Sequence, residues 1–176
     1  MIDARHYAVR DTLRDGTPIL IRALRPDDGP RMAEAFSRLE AESVYTRFFG
    51  PKTGLTEEDY RIIREMDFET KVALVVTTEV DGRELIIASS SYTCFVPDAA
   101  EVAFIVEEDY HGQGIARRLL QHLGLIARER GIVRFEAEVL AQNSAMLRVF
   151  ASAGLPMKTR NEDGAIHVVL ALDAAA

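Results

Sequence analysis

The chain has 176 residues, of which 48% are apolar and 28% charged, and its net charge is −7. This length and composition suit one domain over residues 1–176 that buries a core without disulfide or metal staples, and they exclude a disordered or collagen-like chain. The acidic excess argues against nucleic acid as a partner, because proteins that neutralise phosphate backbones usually carry the opposite charge.

The first half predicts a hairpin followed by helices. The hairpin spans about residues 8–24, with strands over 8–14 and 17–24 that are joined at Asp15-Gly16, a strong turn signal. Three helices are expected next, over 26–38, 41–48 and 57–66. The last of them begins with a sequence similar to a capping box at Thr56.

The second half predicts most of a sheet. Strands are expected over 72–80, 84–96, 101–106, 132–140, 155–160 and 165–172, and helices over 113–130 and 144–153. This order predicts an α+β fold with a mixed, mostly antiparallel central sheet of six to seven strands flanked by helices. One strand–helix–strand crossover is included.

Several features bear on location and on metals. No apolar run approaches the roughly 20 residues of a membrane helix, so we expect no membrane partner. The N-terminus lacks the apolar segment of a signal peptide. The single cysteine, Cys94, fits a reducing compartment, so we predict a cytoplasmic protein. No Cys/His cluster has metal-ligand spacing, and we expect no metal site.

The sharpest local signal is a glycine turn between a strand and the long helix, His111-Gly-Gln-Gly-Ile-Ala116. The first N–H groups of a helix have no partner in the helix and carry partial positive charge, so such a turn can hold a pyrophosphate. Arg117 and Arg118 would add charge at its rim. A helix entry that merely turns tightly explains the glycines equally well. The turn does not match a dinucleotide fingerprint, because Arg117 replaces the third glycine, and it is not a P-loop.

This turn resembles the acetyl-CoA signature Gln/Arg-x-x-Gly-x-Gly/Ala of the Gcn5-related N-acetyltransferase (GNAT) superfamily. Gly114 and Ala116 match, and His111 replaces the usual Gln or Arg. The segment from Asn143 through a helix that ends at Gly154 also resembles a second motif of this family. The similarity extends over a core of about residues 18–172. It implies the GNAT fold and an acetyl-CoA-dependent N-acetyltransferase.

The first half resembles the acetyltransferase domain of bacterial protein-lysine acetyltransferases more narrowly. The matching stretches lie within residues 13–22, 24–28 and 42–49. Those proteins usually carry a fused regulatory or acyl-CoA-synthetase-like domain, for which this chain has no room. The resemblance implies transfer to a primary amine, with protein lysine as first choice and a small-molecule amine as second. An exposed strand edge or helix face also allows a homodimer.

Acetyl transfer needs a neutral amine, so a base must take the proton of an ammonium. Glu101 is the candidate, because strand alternation places it beside the small Ala103. Related lysine acetyltransferases use a glutamate at this strand position, and the family transfers the acetyl group directly. A carboxylate that merely points into solvent is the alternative reading, and Glu138 is the reserve candidate.

The resemblance also implies which residues bind acetyl-CoA: Val106, His111, Gly112, Gln113, Gly114, Ile115, Ala116 and Arg117. Asn143 would reach the cofactor arm, although its position also fits a plain helix cap. Phe150 stands where many relatives have a tyrosine that acts as general acid, which leaves that role vacant. Tyr92 and Tyr110 are the substitutes to consider.

Two other functions compete with catalysis. The first is a non-catalytic acyl-CoA-binding sensor or interaction module, which would bind the coenzyme without releasing a thiol. The second is a nucleotide-binding domain, which would be stabilised by ATP or NAD and not by coenzyme A.

Overall fold

In the computed structural model, which describes residues 1–173, an eight-stranded sheet carries helices on both faces. The strands are β1 (Ala8–Thr12), β2 (Pro18–Ala23), β3 (Lys71–Val80), β4 (Arg83–Val96), β5 (Ala99–Val106), β6 (Arg134–Leu140), β7 (Met157–Glu162) and β8 (Ala165–Ala171). The helices are α1 (Gly29–Ser37), α2 (Ala41–Phe48), α3 (Glu57–Glu65), α4 (Ile115–Glu129) and α5 (Ser144–Ala151). The last three residues of the predicted domain lie outside the described ones.

The strand order is β1-β2-β3-β4-β5-β6-β8-β7, and β5 with β6 is the parallel pair within residues 1–173. The α+β prediction is confirmed, with one correction: the sheet has eight strands rather than six to seven. All eight strands predicted along the chain join this one sheet, because the β1–β2 hairpin pairs with β3. The edge strand β7, predicted over 155–160, is wholly exposed and is joined to β8 by a turn at Asp163 and Gly164, both with positive φ. Apolar periodicity locates strands along the chain, but it does not show how many of them pair in one sheet.

The predicted helices are present, with shifts at their ends. Thr56 forms the expected capping box, in which its N–H donates to Asp59 and its hydroxyl accepts from the Asp59 N–H at 3.1 Å. The first predicted helix begins as a 3-10 turn at Pro26, and α1 starts at Gly29. Helix α4 starts at Ile115, two residues later than predicted, because the glycine turn before it has left-handed backbone.

Helix α4 packs on one face of the sheet. Its side chains Leu119, Leu123 and Ile126 are wholly buried, as are Tyr92 and Phe135 on the strands beneath. Burying a side chain of this size contributes roughly 1.5–3 kcal/mol. Helices α1 and α2 pack on the other face, against β4 and β5 respectively. No helix in residues 1–173 is long and apolar enough to cross a membrane.

A buried ionic cluster ties β2 to the start of α1 and to β4. The Arg22 guanidinium donates to both carboxylate oxygens of Asp28 at 2.8 and 2.9 Å, and it also donates to Glu84 at 3.1 Å. Arg22 is 4% exposed and Asp28 is wholly buried. The pKa of Asp28 is lowered although burial alone would raise it, because the hydrogen bonds from Arg22 and from the Arg25 amide favour the carboxylate.

Candidate active site

The parallel pair β5–β6 separates after a short stretch. Ladder pairing covers Ala99 to Glu101 on β5 and ends at Glu136 on β6, although both strands continue. The Glu107 N–H donates to Ile87 on β4, so by alternation the main-chain groups of even-numbered β5 residues point toward β6. The N–H groups of residues 104 and 106 therefore face an open gap rather than a strand. The gap forms a cleft of about 370 Å³.

The glycine turn lies between β5 and α4. Gly112 and Gly114 both have a φ of 78°, a conformation that side chains other than glycine disfavour. The N–H groups of residues 112–117 have no hydrogen-bond acceptor among residues 1–173, and the first helical bond runs from the Arg118 N–H to the Gly114 carbonyl. Six successive free amides at a helix N-terminus are able to bind an anionic group.

Two arginine side chains stabilise this turn through hydrogen bonds to its carbonyl groups. Arg14, on the β1–β2 hairpin, donates to the Gly112 carbonyl at 3.1 Å. Arg118 donates to the Gln113 carbonyl at 3.1 Å and pairs with Asp11 at 3.2 Å. Arg14 was not predicted, since a contact across almost a hundred residues leaves no local pattern in the sequence. The exposed Arg117 lies in the first turn of α4, at the rim where it was predicted.

His111 occupies the position of the family's usual Gln or Arg. Its ring Nε2 lies 2.8 Å from the Val106 carbonyl oxygen, a hydrogen bond that fixes the end of β5 against the turn. The Val106 carbonyl is thereby satisfied, and its N–H remains directed into the gap. The His111 ring thus forms a hydrogen bond with the protein's own main chain in this structure.

Glu101 is exposed and lies where the gap begins. It is in cross-strand register with Thr93 on β4, which is in turn in register with Lys71 on β3. These side chains share the sheet face that α1 and α2 cover, whereas Val102 is buried on the opposite face. Glu101 lines the cleft, as do the next three residues of β5, because the cleft runs between two strands. Ala103 and Ile105 line the space above the Glu101 face, whereas Val102 does not, which agrees with the predicted alternation.

A second cavity, of about 190 Å³, lies between that sheet face and helices α1–α3. Its walls are mainly apolar, and its sheet side includes Ser89, Ser91, Ala103 and Ile105. The residues common to this cavity and the cleft are Arg47, Phe48 and Ala103. The two spaces therefore meet beside Glu101, as a site for two substrates requires.

Glu138 is placed differently from Glu101. It lies on β6, where the His167 ring bonds Glu138 through Nδ1 and Glu136 through Nε2, the latter at 2.7 Å. The two carboxylates raise the pKa of His167. Hydrogen bonds from Arg134 and His167 lower the pKa of Glu136. The reserve candidate thus belongs to a paired surface cluster.

Asn143 and Phe150 both line the cleft. The Asn143 Oδ1 accepts from the Met146 N–H at 3.2 Å, which makes it the N-cap of α5, while its amide NH₂ has no acceptor within the described part of the chain. Phe150 is 1% exposed and packs edge-on against Phe104. Tyr92 is wholly buried on the α4 face, which separates its hydroxyl from Glu101.

Among residues 1–173, no group of three or more His, Cys, Asp or Glu side chains is arranged to hold a metal ion.

Comparisons with known proteins agree with this geometry. The model of the acetyltransferase (GNAT) domain matches residues 19–156. The crystal structure of the GNAT domain of PAT from S. lividans is 35% identical, has a TM-score of 0.83, and aligns over 93% of this chain and 96% of that one. An acetyltransferase of Pseudomonas aeruginosa is 27% identical over 169 residues, which cover 96% of this chain and 89% of that protein.

A more distant structure, from Salmonella typhimurium with its cofactor acetyl-CoA, is 19% identical with a TM-score of 0.71, over 88% of this chain and 94% of that one, and shares the fold. The resemblance based on residues 111–116 is confirmed. The chain belongs to the GNAT family and is an N-acetyltransferase.

Proposed function

We propose that the protein transfers an acetyl group from acetyl-CoA directly to a primary amine, with Glu101 as general base. The observation that carries this proposal is the meeting of two spaces beside Glu101: the β5–β6 cleft and the cavity under α1–α3. Strand β5, which borders the cleft, continues into the turn with six free amides.

The residues around the cleft fit coenzyme A. The diphosphate would take the amides of Gly112, Gln113, Gly114, Ile115 and Ala116, with Arg117 at the rim. The pantetheine arm would use the free main-chain groups of β5, including the Val106 N–H, and the free amide of Asn143. His111 would act indirectly, by holding the end of β5.

When bound, acetyl-CoA supplies the acetyl group as a thioester, whose C–S bond breaks as the C–N bond of the amide forms. An alkyl ammonium with a pKa of about 10.4 is almost entirely protonated at neutral pH, so the amine must lose a proton before attack. Glu101 takes this proton directly or through a water molecule. The Val106 N–H, which faces the gap, stabilises negative charge on the thioester oxygen.

The leaving thiolate needs no acid from Phe150, which has no hydroxyl. A simple thiol has a pKa of about 8.5, so the thiolate leaves without strong assistance and takes a proton from water.

Glu101→Gln tests the base. We expect unchanged affinity for acetyl-CoA and a loss of turnover of roughly 10²–10⁴-fold, the usual contribution of general-base catalysis. Isothermal titration calorimetry and a thiol-release assay with a panel of amines measure the two effects.

Glu138→Gln is the matched control, because it removes a cleft carboxylate that His167 already engages. Equal losses in both variants would refute the assignment of Glu101. Tight coenzyme binding without thiol release for any amine would instead identify a non-catalytic acyl-CoA-binding module.

A further inference from the structure

We propose that the amine acceptor is a small molecule that also carries a carboxylate, and that Arg47 and Lys71 bind this carboxylate in the cavity beside Glu101. The inference rests on the proposed function and specifies its acceptor. It follows from two cations that line the cavity and have no anionic partner in direct contact among residues 1–173.

Arg47 lies in the last turn of α2, where the cavity and the cleft meet. It is half-buried, and its side chain forms no ion pair or hydrogen bond within residues 1–173. Its contact is with the ring of Phe48, whose centroid lies 4.7 Å from the guanidinium carbon. A guanidinium with free donors can bind a carboxylate through two parallel hydrogen bonds.

Lys71 begins β3 and lines the cavity from the sheet side. It is also half-buried and has no ion pair in the described part of the chain. Burial lowers its pKa and the neighbouring Arg47 adds repulsion, while the carboxylates of Asp59, Asp67 and Glu101 act in the opposite direction from a distance. Burial likewise lowers the pKa of Arg47, while the more distant Glu101 and Asp59 favour its charged form.

The other charges in the cavity are already compensated. Lys52 pairs with Asp59 at 2.8 Å, and Arg38 pairs with Glu107 at 3.4 Å. Two partly desolvated positive charges therefore remain in the cavity of a chain whose net charge is −7. Unpaired charges are costly to bury, so the cavity is complementary to an anionic group.

The two unpaired cations also discriminate between a protein lysine and a small amino carboxylate as acceptor. Only the aliphatic chain and ammonium of a protein lysine would enter, which would leave both cations unpaired and repel the incoming charge. A small amino carboxylate places its amine at Glu101 and its carboxylate at the cations. Because Lys71 lines the acceptor cavity and not the cleft, the carboxylate belongs to the acceptor rather than to the acyl group.

The test compares ω-amino carboxylates of increasing length with alkylamines of the same length, with acetyl-CoA as donor. We expect kcat/KM to favour the matching amino carboxylate by about tenfold to a hundredfold, as charge-assisted hydrogen bonds contribute. Arg47→Met should bring this ratio close to one, Lys71→Met should reduce it, and Arg47→Lys should retain part of it. The ratio is insensitive to loss of folded enzyme and to any change in the base.

Lys158→Gln is the control, since it changes the net charge equally from the exposed strand β7 and should leave the ratio unchanged. An absent preference in the wild type, or one unchanged in Arg47→Met, overturns the inference. So does a preference for succinyl-CoA over acetyl-CoA that Arg47→Met abolishes, which would assign the carboxylate to the donor. Turnover of lysine peptides alone overturns the inference and leaves the proposed function intact. Failure with every amine overturns the proposed function itself.

Discussion

At the scale of single residues, the ion pair of Arg22 and Asp28 shows how a buried charge is tolerated. Its two parallel hydrogen bonds satisfy both groups, and Glu84 compensates the remaining side of the guanidinium. Such a pair adds little net stability compared with apolar residues, but removing one partner leaves the other charge buried and unpaired.

Asp28→Asn is therefore expected to lower the free energy of unfolding by about 3 kcal/mol, since the buried Arg22 would lose its bidentate partner and keep only the less buried Glu84 as counterion. Urea denaturation measures this loss. Asp27→Asn, next to it but 71% exposed, should cost less than about 0.5 kcal/mol. Similar losses in both variants would show that the buried pair is not what stabilises this junction.

The candidate residues differ in how far the sequence could identify them. The positions of Glu101 on its strand and of Asn143 at a helix N-cap were predictable because strand alternation and helix caps are local rules, and the structure places both beside one cleft. Their proposed roles came from the family resemblance. Arg14 and Lys71 were not predictable, because their proximity to the site depends on long-range strand pairing. Whether Arg47 is paired likewise depends on the packing of α2 against β5.

At the scale of elements, the glycine turn before α4 combines a backbone requirement with a proposed binding role. Gly112 and Gly164 have similar φ values, 78° and 82°, and a methyl group on either would meet no atom within 4 Å. The backbone cost of an alanine is thus the same at both positions, while only Gly112 contributes a free amide to the turn.

Gly112→Ala and Gly164→Ala should each lower the free energy of unfolding by roughly 1–2 kcal/mol, the penalty of left-handed backbone for a residue with a Cβ. Only Gly112→Ala should weaken acetyl-CoA binding, because its backbone strain and methyl group lie where the diphosphate would approach. Chemical denaturation and calorimetry separate the two effects. Unchanged affinity in Gly112→Ala would remove the turn from the coenzyme site.

The elements themselves were largely predictable, because apolar periodicity and turn residues determine most of their limits. The observed ends of elements differ from the predicted ones where backbone geometry overrides composition. At the start of α4, for example, residues 112–114 form a turn before the helix begins. No sequence pattern predicts the separation of β5 from β6, since both segments continue as regular strands past the point where their pairing ends.

At the scale of the whole molecule, that separation divides the sheet into β1–β5 and β6–β8, joined by a short ladder and by the packing of α4 and α5. A ligand that fills the gap would supply hydrogen bonds that the ladder lacks. Its binding should therefore stabilise the native state of the whole chain.

Acetyl-CoA should raise the melting temperature and slow hydrogen exchange most at residues 104, 106 and 112–117, whereas the amides of the exposed edge strand β7 should change least. Differential scanning fluorimetry and exchange mass spectrometry measure these effects, with ATP as the comparison ligand. Equal stabilisation by ATP would instead favour a nucleotide-binding domain.

The small overlap between the two cavities has a kinetic consequence. The cleft opens between two strands, whereas the other cavity opens under the helices, and their linings share Arg47, Phe48 and Ala103. Under the proposed function each substrate would have its own entrance, and neither would have to depart to admit the other. Such an enzyme has no need of a covalent acetylated form to carry the group between two half-reactions.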